Sequence, residues 1–277
     1  MKIVVIGGTG LIGSKLVNKL REHGHEAIAA SPNSGVNALT GEGLADVLKR
    51  ASVVVDVSNS PSFDEDVAMN FFNTATRNLI QYEQAAGVRH HVGLSVVGTD
   101  RLAEKGPSDA EKTIRGYFRA KLAQERLIAE SLIPFSIVHA TQFFEFVKNI
   151  ADASSDGTIV RLAPVLIQPM AADDVAAAVG RIAVGAPVNG IVEVAGPQQF
   201  RLDEFVLQGL RARNDPRTVV ADPGAGYFGV EVDDRTLVPG KNARLGETRF
   251  ETWLTQSAKP VTSTNPQSTV DAVVVSR

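Results

Sequence analysis

An α/β fold with a doubly wound parallel sheet is predicted by three observations. A continuous apolar run opens the chain, a cluster of glycines follows at once, and strand-like and helix-like periodicities then alternate as far as about residue 142. Alternation of this kind implies right-handed strand-helix-strand crossovers, with helices covering both faces of a Rossmann-like sheet.

The first element is Lys2-Ile-Val-Val-Ile6, whose unbroken β-branched run matches a parallel strand buried on both faces. At Leu11 the period changes: Leu11, Ile12, Leu16, Val17 and Leu20 recur at helical spacing until Gly24. Between them lie the glycines, readable as Gly8-x-Gly10-x-x-Gly13 or as Gly7-x-x-Gly10-x-x-Gly13. Either spelling turns the strand sharply, admits a pyrophosphate against bare backbone and packs the helix closely on the sheet. The first-turn N–H groups and the positive end of the helix dipole then face the phosphates. The stretch implies dinucleotide binding, with Gly7, Thr9, Gly10, Leu11 and Ile12 as candidate contacts; a purely structural turn is the alternative. A nucleoside-triphosphate loop does not fit, because Gly13 is followed by Ser14-Lys15 where that motif needs Lys and then Ser or Thr.

His25 to Ala30 reads as the second strand, and the residue just past such a strand meets the adenosine ribose. An acid there favours NAD, but here stand Ser31-Pro-Asn-Ser34, hydroxyl-rich and uncharged. The missing carboxylate removes repulsion against a 2′-phosphate, and Ser31 and Ser34 could bond one. No Arg or Lys lies between Glu22 and Lys49 to complete a phosphate site. NADP(H) is therefore favoured over NAD(H), against the alternative of a polar turn that touches no cofactor.

Gly41 to Arg50 suggests a short helix, and Val53 to Val57 another buried strand, ending at Ser58-Asn59-Ser60-Pro61. Small polar residues at that carboxyl end lie where an open parallel sheet presents its ligand crevice, which makes Ser58 and Asn59 candidate cofactor contacts. A long helix from about Asp64 to Ala86 closes at Gly87, and His91 to Val97 forms the next strand. The pairs His23/His25 and His90/His91 flank strands in turns, where solvated histidines are expected. With no i, i+4 histidine pair and no nearby carboxylate cluster, no metal site is assigned.

Gly116-Tyr-Phe-Arg-Ala-Lys121 opens a further helix, and its Tyr117 and Lys121 share a face at i and i+4. A phenol titrates near ~10 in water, and a neighbouring ammonium favours its phenolate, making it a better acid–base group at neutral pH. The lysine can also hold a ribose hydroxyl. A chance pair on a helix is the alternative, weakened by the nucleotide-type glycine turn upstream.

Composition narrows the function classes. Hydrophobic residues are 44% and charged ones 21% of the 277, ordinary for a globular chain, and a net charge of −3 offers no basic field for nucleic acid or an anionic membrane. No cysteine is present, which removes disulfides, thiolate metal sites and a cysteine nucleophile. A strand beginning at Lys2 leaves no room for a cleavable signal, and no apolar run approaches spanning length, so a cytoplasmic address is expected.

These residues together resemble the atypical short-chain dehydrogenase/reductase superfamily, in particular its NmrA-like, NAD(P)-binding branch. The resemblance spans about residues 1 to 257. It rests on Gly7 to Gly13, on Leu94-Ser-Val-Val-Gly98, on Tyr117 to Lys121, and on Ile133-Pro-Phe135 leading through a strand to Thr141-Gln-Phe-Phe144. It implies Tyr117 as proton donor to a carbonyl-type acceptor, Lys121 as its tuner and ribose ligand, and Thr141, Gln142 and Phe143 over the nicotinamide. Active members place a second hydroxyl a couple of residues beyond the serine corresponding to Ser95; here stand Val96 and Val97, leaving Ser95 itself as the candidate. Members that sense redox state without turnover usually lack the tyrosine–lysine pair, which this chain keeps.

Past Phe143 the strict alternation fails. Phe143, Phe144 and Phe146 form an aromatic patch at the expected substrate mouth, with Phe143 and Phe144 as candidate substrate contacts and a plain core cluster as the alternative. Ile159 to Met170 reads as two short strands broken by prolines, Asp173 and Asp174 as caps of a small-residue helix, and Ile191 to Ala195 as the last sheet strand. Helices near Leu202–Arg211 and Thr248–Leu254 complete a small α+β lobe. Gly224 to Phe228 is a surface loop or a flap over the cleft. Beyond Ala258 the composition suits a tail, whose Val270–Val275 run could add to a sheet edge.

The expected organisation is a dinucleotide-binding domain from residues 1–142 plus about 165–195, a substrate lobe from about 143–164 and 196–257, and a tail from 258–277. The expected function is an NAD(P)H-dependent oxidoreductase passing hydride to a small quinone or carbonyl-type acceptor. A redox sensor that binds NADP(H) without turnover and an NAD(P)-dependent epimerase or isomerase are the alternatives. The expected partner is a small molecule; nucleic acid and membrane are not, and a homodimer is compatible with the reading.

Overall fold

The computed structural model describes residues 1–104 and 114–257; the expected tail with its valine run lies outside them. In chain order the first half comprises β1 (Lys2–Ile6), α1 (Leu11–Glu22), β2 (Glu26–Ala30), α2 (Leu44–Val47), β3 (Val53–Asp56), α3 (Glu65–Ala86), β4 (His90–Val96), α4 (Thr99–Glu104) and α5 (Arg115–Glu130). Then follow β5 (Phe135–Ala140), α6 (Val147–Ala153), β6 (Ser155–Asp156), β7 (Ile159–Leu162), β8 (Leu166–Ile167) and α7 (Ala172–Val184). The last elements are β9 (Gly190–Ala195), β10 (Phe200–Arg201), α8 (Leu202–Arg211), β11 (Thr218–Ala221), β12 (Arg244–Leu245) and α9 (Phe250–Ser257).

Seven strands form one sheet in the order β12-β9-β5-β4-β3-β1-β2, and every pairing within it is parallel. The apolar start of the chain explains the centre: Ile3, Val4 and Val5 of β1 are wholly buried, since helices cover the sheet on both sides. Ile3 and Val5 pack with α1 and α7, while Val4 and Ile6 pack with Leu44 of α2 and Leu79 of α3. Chain order reverses beside β1, which has β2 on one side and β3 on the other, so the ligand crevice falls at their carboxyl ends.

Local chemistry sets the helix bounds. Asp64 caps α3 by accepting the Val67 N–H at 3.1 Å, Glu65 and Asp66 complement the dipole, and Gly87 ends it in the left-handed region at φ 70°. The expected Gly41–Arg50 helix shrinks to one turn because Gly43 (φ 73°) and Arg50 (φ 61°) both adopt left-handed backbone.

Three further expectations are corrected. The sheet does not end at β9: β12 pairs beside it, Arg244 with Val194 and Leu245 with Ala195, so a piece of the supposed lobe segment completes the sheet. Two exposed residues carry no period by which a strand could be read. Asp173 and Asp174 do not cap α7, which begins after Ala171. Asp173 pairs with Lys15 of α1 at 2.7 Å, and Asp174 accepts both the Thr248 N–H (2.8 Å) and its hydroxyl (3.0 Å). His90 and His91 are buried in β4, not solvated in a turn. His91 Nδ1 lies 2.9 Å from both oxygens of the buried Glu83, and His90 Nε2 lies 2.9 Å from Ser136 Oγ.

The segment expected as a lobe contributes a three-stranded sheet, β11-β7-β6, and the strand β10, which pairs antiparallel with β8 of the segment expected in the dinucleotide-binding part. Its core is aromatic: Phe250 lies 4.6 Å from Phe205 and 4.9 Å from Phe144 between ring centroids, and stacks on Trp253 at 5.8 Å.

Candidate active site

The glycine turn divides its labour. A Cβ on Gly7 would lie 2.8 Å from Ser58 N, one on Gly8 2.6 Å from Ala29 Cα, and one on Gly13 2.2 Å from Gly7 O. Those three glycines therefore serve close packing of turn, strand and helix. At Gly10 a Cβ would meet only Gly7 O, at 3.3 Å, and the residue is exposed. Gly10 caps α1, whose first turn carries no acidic side chain, so its N–H groups face an open approach. Thr9 and Leu11 are exposed beside it, whereas the Ile12 side chain is buried in the core and has only its backbone to offer. A bare cradle at a helix N-terminus with no side-chain cap fits a pyrophosphate.

Of the two serines only Ser34 has its hydroxyl engaged; Ser31 Oγ has no partner. Ser34 Oγ accepts the Ser31 N–H at 2.9 Å and donates to Ser31 O at 3.0 Å, beside a single 3-10 turn, Pro32–Ser34. Ser31 itself is buried. Ser34 therefore has its hydroxyl turned to its own backbone, whereas Ser31 keeps an unpartnered hydroxyl beside a loop that carries no acid.

Tyr117 lies in the first turn of α5. Its hydroxyl donates to Asn59 Oδ1 at 2.9 Å, so the polar end of β3 and the helix converge as the topology requires. The ring is enclosed edge-on by Phe63 (5.2 Å), Phe118 (5.5 Å) and Phe72 (5.8 Å). Burial pushes the phenol above its usual range, with the Asn59 bond acting weakly the other way. The hydroxyl bonds Asn59 rather than Lys121, whose Nζ turns to Leu94 O and Gln124.

Lys121 is fully enclosed one turn on. Its Nζ donates to Leu94 O at 2.8 Å and to Gln124 Oε1 at 2.5 Å, and it lies 4.5 Å from the centre of the Phe72 ring. Burial lowers its pKa to about 8, against the opposing pull of Asp56 and Glu125.

Ser95 is buried and engaged with a carboxylate. Its hydroxyl donates to Glu125 Oε1, and the same oxygen lies 3.0 Å from His139 Nε2. Strand alternation sends Ser95 to a buried carboxylate, so the expected catalytic role is not supported, and Val96 packs against the apolar cluster that includes Tyr117.

At the end of β5, Thr141 is buried with its Oγ1 unpartnered, and both amide atoms of buried Gln142 lack partners as well. Phe143 is half-buried and stacks on exposed Phe146 at 5.4 Å. Phe144 points the other way into the lobe core, which removes it as a substrate contact. The orphaned polar atoms of Thr141 and Gln142, with Phe143 beside them, fit the edge of a bound nicotinamide better than a closed core.

The structure adds residues that no motif signalled. Asp56, Gln124 and Phe72 surround Lys121. Phe228 lies 6.4 Å from Phe63 and 4.9 Å from the buried Tyr227, and Phe228 O accepts the Ile114 N–H just before α5. The Gly224–Phe228 segment is thus neither a bare surface loop nor detached from the cleft. Its only trace in the sequence is two aromatics after glycines.

A family model described as NAD(P)H-binding matches residues 7–183. No curated protein matches the sequence. Among solved structures, the chain is similar to a dTDP-4-dehydrorhamnose reductase from Clostridium acetobutylicum, with 17% identity and TM-score 0.66 over 92% of this chain and 98% of that one. It is similar to a UDP-glucose 4-epimerase from Thermotoga maritima, at 16% identity and TM-score 0.67 over 93% and 97%. A dTDP-4-dehydrorhamnose reductase from Bacillus anthracis in complex with NADP gives 15% identity and TM-score 0.64 over 90% of each chain.

Proposed function

The chain belongs to the NAD(P)H-binding family, and on that premise we propose that it is an NAD(P)H-dependent reductase acting on a small, planar quinone or carbonyl-type acceptor. The observation that carries this reading is the Tyr117 hydroxyl, held by Asn59 within a ring of phenylalanines one turn from a buried ammonium. The Gly7–Gly13 turn and the first N–H groups of α1 would hold the pyrophosphate, with Ser58, Asn59, Thr141 and Phe143 bordering the rest of the dinucleotide. The bound nicotinamide supplies the hydride. Burial keeps Tyr117 Oη protonated, so it can donate a proton to an acceptor oxygen. Lys121 carries positive charge at neutral pH and can steady that oxygen or a ribose hydroxyl. The aromatic edges of Phe63 and Phe228 favour a flat apolar acceptor; a nucleotide sugar, as in the solved relatives' names, would bring a diphosphate to this apolar mouth.

One observation favours a second reading, a dinucleotide-binding redox sensor without turnover: Ser95 is committed to Glu125, and the next two residues, Val96 and Val97, offer no hydroxyl. The test is the rate of NADPH and NADH oxidation against a panel of quinones and carbonyl compounds, with binding of each cofactor measured on the same samples. Turnover with either cofactor is expected. Tight binding with no turnover anywhere on the panel overturns the reductase in favour of the sensor.

A further inference from the structure

We propose that Asp56 and Gln124 are positioning residues that hold both members of the Tyr117–Lys121 pair through one buried carboxylate. Asp56 ends β3 and is 1% exposed. Its Oδ1 accepts the Ser58 N–H at 2.9 Å and the Ser58 hydroxyl at 2.6 Å, a local turn that fixes the backbone leading to Asn59, the acceptor for Tyr117. Its Oδ2 accepts Gln124 Nε2 at 2.9 Å, and the other end of that amide accepts Lys121 Nζ. The amide has one orientation that satisfies both neighbours, oxygen to the ammonium and nitrogen to the carboxylate.

This arrangement differs from a salt bridge. A direct Asp56–Lys121 contact would pull the ammonium to the end of β3 and neutralise it there. The interposed amide transmits the carboxylate's polarity while leaving the ammonium on Leu94 O and the Phe72 face. Two of the three N–H bonds of Lys121 are used, and the third has no acceptor among the described residues. The charged and titratable groups facing Lys121 are Asp56 on β3, Tyr117 one turn back on α5, and Glu125 on α5, the last backed by His139 of β5 and Ser95 of β4.

The kinetic consequence rests on the reductase reading, whereas the geometry does not, and the experiment separates them. Lysine 13Cε resonances are followed against pH in the cofactor-free protein, with Lys121→Arg assigning the Lys121 signal. Asp56→Asn is expected to move the Lys121 midpoint down by about one unit, and Gln124→Glu to move it up by a similar amount. Gln124→Met removes the bridge without adding charge and is expected to lower the midpoint. If Asp56→Asn does not fold, the two Gln124 variants decide. A merely structural role would lower stability and leave the midpoint in place, and unmoved midpoints overturn the proposal. With an acceptor that turns over, the alkaline limb of kcat should move in the same directions as the resonance; a fixed limb overturns the role in the reaction. Moved midpoints in a protein that reduces nothing uphold the positioning and sink the reductase instead.

Discussion

The glycines of the turn look alike in the sequence but differ in what a side chain would meet. Gly13→Val would drive its Cβ into Gly7 O at 2.2 Å and should prevent folding, whereas at Gly10 the nearest atom is 3.3 Å away. Gly10→Val should therefore fold, losing about 1 kcal/mol for a poor helix cap, and lose dinucleotide binding because the branched side chain occupies the space at the helix N-terminus. Thermal melts and NADPH fluorescence titrations check both halves, and undiminished affinity would remove the cofactor assignment. Tyr117→Phe keeps the ring contacts and deletes the hydroxyl bonded to Asn59. It should lower kcat by roughly 10²–10⁴-fold with cofactor affinity preserved; equal rates would take Tyr117 out of the mechanism.

At the scale of elements, β4 combines two kinds of buried histidine. His90 is held neutral, its pKa lowered to about 4 by burial and by the neighbouring His91. For His91 burial opposes the charge, but Glu83 beside it overrides that and pushes the pKa up. For His90 the folded pKa lies below the unfolded value of ~6.5, so the unfolded chain binds more protons between these limits. Its contribution to stability is complete above about 6.5 and lost as pH falls through about 4. The melting temperature should decline across that window, and His90→Gln, which cannot titrate, should flatten the decline; an identical slope in the variant would assign the acid sensitivity elsewhere. The histidine pair was expected in a turn because strand β4 begins one residue earlier than its apolar run suggests, which draws both rings under α3 and α7.

For the whole molecule, the segment expected as a separate lobe is tied to the main sheet and its helices at several points. β12 joins the sheet, Asp174 of α7 holds Thr248, and Glu145 accepts both the Ala172 N–H at 3.1 Å and Trp253 Nε1 at 3.2 Å. Such ties couple the two parts, so denaturation should be a single transition. The one tryptophan, Trp253, reports the lobe, and far-ultraviolet circular dichroism reports the whole. Coincident denaturant curves are expected; a tryptophan transition at lower denaturant would show the lobe melting by itself. No described helix is long and apolar enough to cross a membrane.

By itself the sequence determined the parallel sheet, the turn into α1, the long capped helix α3 and the shared face of Tyr117 and Lys121, because these depend on patterns within a few residues of one another. Hydrophobic period, glycine spacing and caps are local properties. Only the tertiary structure decided which hydroxyls face the cleft. Ser95 goes to Glu125, Ser34 to its own turn and Phe144 to an aromatic core, while Asp56 and Asn59 reach the pair from the end of β3, far from α5 in the chain. Strand register and helix packing choose those partners, and burial, a property of the assembled fold, sets the protonation of Tyr117 and Lys121.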